Sequence, residues 1–373
     1  TLVVSARGSL SLGGLTSAMV GLGTALCGPL IGAAADRFGQ RTVLLAAASV
    51  SSLALLAMAW IAYSPLPPAA VLISAFFIGA TGPQVPPMSR SRLVGVIMNR
   101  LPVARQQKSL NSTMAYESAA DEVTFVFGPL IVGILAATMG PAAPILGAAV
   151  LTLIFVTSFA LHRSAHDVRL AAGTQETPDP VSSLFDRSLL VLVLGVLGVG
   201  FLFGSTLTSL TSFMDDMGQP ERAGLVYGAM GVGSAIFALG VVLFPERFSL
   251  RARWATFAAL ILAGAIALHL VEGMTGVVVV LLIMGVGIGP TLVTLFSLMA
   301  QRSPRGRSAT AMSIASTSVV VGQSAASAVT GSLAENYGTT TATLAPLVAA
   351  VTIVLAALGN WAIAGTRRAA QER

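Results

Sequence analysis

Stretches of roughly 20 apolar residues follow one another along nearly the whole chain, separated by short polar turns. Eleven such runs lie near 12–35, 43–63, 67–90, 110–139, 142–162, 188–213, 223–244, 254–271, 275–298, 309–333 and 341–364. Each is long enough to cross the hydrocarbon of a bilayer as a helix, which satisfies all of its own backbone groups there. Residues 1–7 read as the outer tail of a further helix that begins before Thr1. The pattern predicts an all-α integral membrane protein.

The polar turns carry a repeat. Asp36-Arg37-Phe38-Gly39-Gln40-Arg41 stands between two apolar runs, and Glu246-Arg247-Phe248-Ser249-Leu250-Arg251 stands in the same place further along. A second match pairs Gly133, Leu135, Ala136 and Gly140 with Gly331, Leu333, Ala334 and Gly338. The longest polar stretch, 163–187, holds Pro178 and Pro180 and divides the chain into two sets of spans. The expected organisation is two six-helix pseudo-symmetric bundles, 1–162 and 188–365, joined by a linker at 163–187 and followed by a tail at 366–373. The first helix of the first bundle would be largely missing.

Composition agrees: 55% of residues are hydrophobic and 10% charged, against roughly 25% charge in soluble domains. If the Asp36–Arg41 turn is cytoplasmic, strict alternation places most of the 21 Lys and Arg residues inside. Asp215, Asp216, Glu221, Glu272 and Glu335 then fall outside, and the linker, the tail and the N-terminus are cytoplasmic. The net charge of +6 is thereby explained as positive-inside bias. No basic face is concentrated enough for nucleic acid. Cys27 is alone, so no intrachain disulfide forms. Lys108 is the sole lysine, a compositional hint of a GC-rich bacterial genome and hence of a bacterial plasma membrane.

The turn motif Gly32, Asp36, Arg37, Gly39 and Arg41 resembles the most diagnostic loop of the major facilitator superfamily, Gly-x-x-x-Asp-Arg-x-Gly-x-Arg/Lys. The resemblance covers the chain apart from the first helix. It implies a twelve-helix secondary transporter, a monomer, working by alternating access. It also implies that Asp36 latches the cytoplasmic side shut, with Arg37, Arg41 and the degraded copy Glu246, Arg247 and Arg251 taking part in the gate. Gly128-Pro129 with Gly133 resembles the helix-5 motif of drug–proton antiporters, whereas Thr124 and Val132 depart from it. The Arg found midway along helix 4 in proton-coupled members is replaced by the run Phe76-Phe77-Ile78-Gly79.

Intramembrane charges are the other candidates. Arg90 and Arg92 lie towards the inner end of one span, and Glu117, Asp121 and Glu122 towards the inner end of the next. Glu117 and Asp121 share a helix face at a spacing of four. Two readings stand: Asp121 or Glu122 carries the coupling proton, or the arginines lock the carboxylates as a second inner gate. Serines and threonines at 205–212 and 308–327 are candidate cavity-wall groups, with helix packing as their ordinary alternative. Pro83, Pro86, Pro87 and Pro290 are expected to break or bend their spans.

The expected function is proton-coupled efflux of a small amphipathic or cationic molecule, with import or uniport of a metabolite as the alternative. His162, His166 and His269 show no ligand or nucleophile–base spacing. No enzyme activity, metal or cofactor is expected.

Overall fold

The computed structural model describes residues 2–7, 10–165, 179–218, 223–245, 247–271 and 273–371, and among these all regular structure is helical. Helices α1 (Leu2–Arg7), α2 (Leu10–Phe38), α3 (Gln40–Tyr63), α4 (Pro68–Thr81) and α5 (Val85–Arg100) precede the long α6 (Val103–Met139). A helix follows in two α parts, α7 (Ala143–Leu151) and α8 (Thr157–Leu161), joined by a π turn at Thr152–Val156. Beyond the linker come α9 (Arg187–Asp216), α10 (Ala223–Gly240), α11 (Leu250–Leu270), α12 (Met274–Arg302), α13 (Ser308–Tyr337), the short α14 (Thr339–Ala342) and α15 (Leu344–Gln371).

Ten of the described helical segments are long and apolar enough to cross a membrane. The run expected at 110–139 forms part of α6, whose first half is polar, and is not among the ten. Side chains such as Leu53, Trp60, Phe155 and Leu225 are 65%, 69%, 66% and 82% exposed. Apolar surface of this extent faces lipid in a membrane protein. The chain is a multi-pass, all-α membrane protein.

The prolines act differently from one another. Pro83 sits in the gap between α4 and α5, while Pro86 and Pro87 occupy the first turn of α5, where a missing N–H costs nothing. Pro290 does not break α12, which runs unbroken from Met274 to Arg302. Of the expected break or bend, the break does not occur.

Two compact units form. The first comprises residues 1–100, 127–179 and 304–317; the second comprises 101–126, 180–303 and 318–373. Each therefore takes a helical segment, from α6 or from α13, that lies far from the rest of it in sequence.

In the first unit, α2 and α4 approach closely. A Cβ on Gly23 would overlap the carbonyl of Phe76, and one on Gly79 would overlap that of Val20. Small residues at such crossings let backbones approach, and packing there replaces the hydrophobic drive that lipid removes. Thr24 Oγ1 donates to the Gly79 carbonyl at 3.3 Å. Leu2, Val3, Leu12, Met58, Ala62, Val71 and Ala75 form one buried cluster. Beside it Arg7 donates from Nε to the Ala62 carbonyl and from Nη2 to the Ile61 carbonyl, both at 2.8 Å. These are among the last carbonyls of α3, and the Ile61 oxygen also accepts from the Ser64 N–H at 3.1 Å.

In the second unit α12 is buried almost continuously from Met284 to Ala300. Gly285 and Gly289 lie against the backbone of α10 at Met230 and Ser234, and Gly287 lies against Ile261 of α11. Trp254 of α11 is fully buried, with its ring where a side chain on Gly195 would stand.

The crossing of α2 and α4 leaves no room for a methyl group. Gly79→Ala is expected to destabilise the full-length protein by about 1–3 kcal/mol through overpacking. Gly128→Ala, with no described atom within 4 Å of a built Cβ, serves as the neutral control. Thermal unfolding in detergent checks both; equal midpoints for the two variants would contradict this packing.

Candidate functional site

The turn predicted from sequence is built around one residue. Gly39, at φ 87°, ends α2 and lets α3 begin at the next position, a conformation that costs a side-chain-bearing residue about 1 kcal/mol or more. Asp36, one turn earlier, reaches the N-terminus of α13. Its Oδ1 accepts from the Ala309 N–H at 3.0 Å. Its Oδ2 accepts from the Thr310 N–H at 2.8 Å and from the Thr310 hydroxyl.

The need for this contact lies in α13 itself. The first N–H groups of a helix have no intrahelical acceptor, and an N-cap side chain ordinarily supplies one. Here the Ala311 N–H donates to the Arg307 carbonyl at 3.0 Å, so Arg307 holds the capping position. An arginine side chain accepts nothing. Asp36 supplies from α2 what Arg307 cannot, and its charge meets the positive end of the α13 dipole.

Two glycines carry the carboxylate there. A Cβ on Gly32 would lie 2.7 Å from Ser313 Cβ and 2.8 Å from the Ala309 carbonyl oxygen. A Cβ on Gly28 would run into Thr317 Oγ1. Positions 28, 32 and 36 thus descend one face of α2 against 317, 313 and 309–310 on α13. The hydroxyls of Ser313 and Thr317 are buried in this contact, so part of the polar run on α13 packs helices together.

The segment before α13 is tied down as well. The Asp179 N–H donates to the Arg305 carbonyl at 3.2 Å, and Asp179 Oδ2 accepts from the Arg305 N–H at 2.9 Å. Arg307 Nε donates to the Asp179 carbonyl. Asp179 belongs to the stretch read from sequence only as linker.

Arg92 is 2% exposed, its hydrogen-bond acceptors are neutral, and its Nη2 meets no acceptor among the described residues. Its Nε donates to Gln40 Oε1 at 3.1 Å, and its Nη1 to the Phe159 carbonyl at 2.9 Å and Ser164 Oγ at 3.2 Å. The guanidinium also lies over the Phe159 ring at 3.9 Å. Gln40 in turn donates to Ser91 Oγ at 2.7 Å. Gln40 fills a variable position of the turn motif, and nothing in its spacing marks it as the link between α3, α5 and the end of α8.

The other candidates lie as follows. Arg37 and Arg41 are exposed, Arg37 resting 5.2 Å from the Phe38 ring centre. Arg90 is buried on α5, and Glu117 and Asp121 are half-buried on α6. Arg247 is exposed and Arg251 half-buried at the start of α11. Gly128 is half-buried on α6. Glu122, Pro129, Gly133 and Glu246 lie outside the described residues, as far as their surroundings are concerned. Among the described residues no cluster of His, Cys, Asp or Glu suits a metal ion.

The sequence matches the Major Facilitator Superfamily over residues 2–327. The chain belongs to that superfamily. No curated protein matches it in sequence. Solved structures share the fold at low identity. The outward-facing bacterial homologue of the iron transporter ferroportin has a TM-score of 0.72 and 16% identity over 98% of this chain and 93% of that one. The human organic anion transporter MFSD10 (TETRAN) has a TM-score of 0.71 and 19% identity over 93% and 83%. The Escherichia coli fucose:proton symporter FucP has a TM-score of 0.63 and 14% identity over 96% and 93%. As a superfamily member the chain is a secondary transporter in the bilayer that takes a small-molecule substrate, and not an enzyme.

Arg92 and Gln40 are expected to act as a unit. Arg92→Met should cost about 1.5–3 kcal/mol, the range for hydrogen bonds from a charged group. Adding Gln40→Leu should cost less than the sum of the two single changes. Unfolding midpoints of the four-member cycle measure the coupling, and strict additivity would show that the pair is not linked.

Proposed function

We propose that the chain is a proton-coupled exporter of a small amphipathic or cationic molecule, in a bacterial plasma membrane, with both termini cytoplasmic. The observation that carries the gating part is the capping of α13 by Asp36. A helix terminus satisfied by a residue from another helix is a contact that can be made or broken as a whole. When made, it holds α2 and α13 together on the proposed cytoplasmic side. When broken, at least two buried N–H groups need water, which enters only if that side opens. Alternating access between these states is the mechanism that moves substrate. The monomer is the proposed functional unit.

The export direction rests on the resemblance of Gly128-Pro129 and Gly133 to the antiporter motif. Asp121 or Glu122 is the proposed proton carrier, since an ionisable residue within a membrane-spanning helix ordinarily serves transport or pairs with a partner. Thr124 and Val132, which depart from that motif, favour import or uniport as the second reading. In that case the helix-6 acids gate without coupling.

Two experiments follow. Asp36→Asn keeps the shape and removes the charge, a loss of about 1 kcal/mol at a helix N-terminus. In a background with Cys27 replaced, it should raise labelling of inner-facing single-cysteine probes about fivefold and lower that of outer ones. Unchanged labelling on both sides would remove Asp36 from the latch. In proteoliposomes with an imposed pH gradient, Asp121→Asn with Glu122→Gln should abolish gradient-driven efflux while substrate exchange persists. Loss of both activities would assign the acids to a gate.

A further inference from the structure

The second unit holds a cavity of about 850 Å³ whose lining shares only Arg251 with the residues expected to take part in the gate. It opens where the first turns of α6, the turn between α10 and α11, and the ends of α12 and α15 meet. Lys108, Arg251, Arg253 and Arg302 line it, and no described lining residue is acidic. Four cations around one cavity repel each other and raise the local positive potential.

Arg253 is the decisive residue. It is 3% exposed and lies 5.2 Å from the Phe244 ring centre and 5.7 Å from that of Phe248. Its Nη2 donates to the Phe248 carbonyl at 3.3 Å. Its Nε and Nη1 meet no acceptor among the described residues. A buried guanidinium with donors unmet is among the costlier arrangements in a protein, so an anion with several acceptor oxygens would offset it. Arg302 is otherwise engaged, donating to the Ser188 carbonyl at 3.0 Å and Asn360 Oδ1 at 2.7 Å. It adds charge to the wall without needing a new partner.

We propose that this cavity binds a phosphate group, held by Arg253 and neutralised by Lys108 and Arg251. Phosphate offers acceptor oxygens in several directions and carries the charge to match a cluster of this kind. Two sources present that chemistry: a phosphate in solution and the headgroup of an anionic phospholipid. Trp361, half-exposed on the cavity wall, is of the residue type that anchors at headgroup level.

The test is calorimetric titration of the purified full-length protein in an uncharged detergent at constant ionic strength. One arm adds inorganic phosphate, and the other adds short-chain phosphatidylglycerol. Saturable binding of either supports the proposal, and the arm that binds identifies the source. Arg253→Gln should weaken binding about tenfold, the loss of one charged hydrogen-bonding group. Should that variant fail to fold, Lys108→Gln with Arg251→Gln, at less buried positions, should weaken it at least as much. Absence of binding in both arms, or equal binding by the variants, would overturn the proposal. So would binding that appears only after Glu246→Gln, because the chain's own carboxylate would then be filling the cavity.

Discussion

The first turn of α13 has donors that its own sequence cannot satisfy, and much of the first unit is arranged around that deficit. Asp36 meets it, but a carboxylate is short and must be delivered on a rigid support. Gly28 and Gly32 let α2 lie close enough to α13, and Gly39 lets the chain leave within one residue into α3. Asp179 holds the approach to α13 through Arg305 and Arg307. The turn motif together with Gly28 is thus one device: two glycines for approach, an acid for capping and a third glycine for the exit.

The same economy of small residues organises both units. In lipid the burial of apolar side chains gives helices little reason to associate, so close contact and hydrogen bonds must do it. Gly23 and Gly79 serve α2 with α4, and Gly233, Gly285 and Gly289 serve α10 with α12. Buried hydroxyls such as Ser205 and Thr291 donate back to carbonyls of their own helices, at 2.7 and 2.8 Å. They satisfy themselves locally and leave the helix face smooth.

Buried arginines are handled in contrasting ways. Arg92 is surrounded by neutral acceptors and an aromatic face, so its charge is dispersed over Gln40, Phe159 and Ser164. Arg253 has aromatic neighbours too, yet among the described residues the Phe248 carbonyl is its one acceptor. The first ties α5 to α3 and the end of α8 and leaves Nη2 alone unmet. The second has binding capacity to spare.

The sequence by itself determined the membrane-spanning helices and the family. Helix length against bilayer thickness is a local property, and the turn motif is a contiguous string. A latch role for Asp36 was suggested by the family resemblance, whereas its partners Ala309 and Thr310 came from the fold. Tertiary structure alone decided the rest. Arg307 at the capping position, Gln40 beneath Arg92 and Asp179 beside Arg305 are ordinary residues whose roles arise from contacts between residues 52 to 274 positions apart. Contacts at that separation leave no periodicity in the chain. The segment 304–317 joins the first unit for the same reason: hydrogen-bond demand at a helix end is met by whichever side chain the fold brings within 3 Å, and spacing along the sequence does not record it.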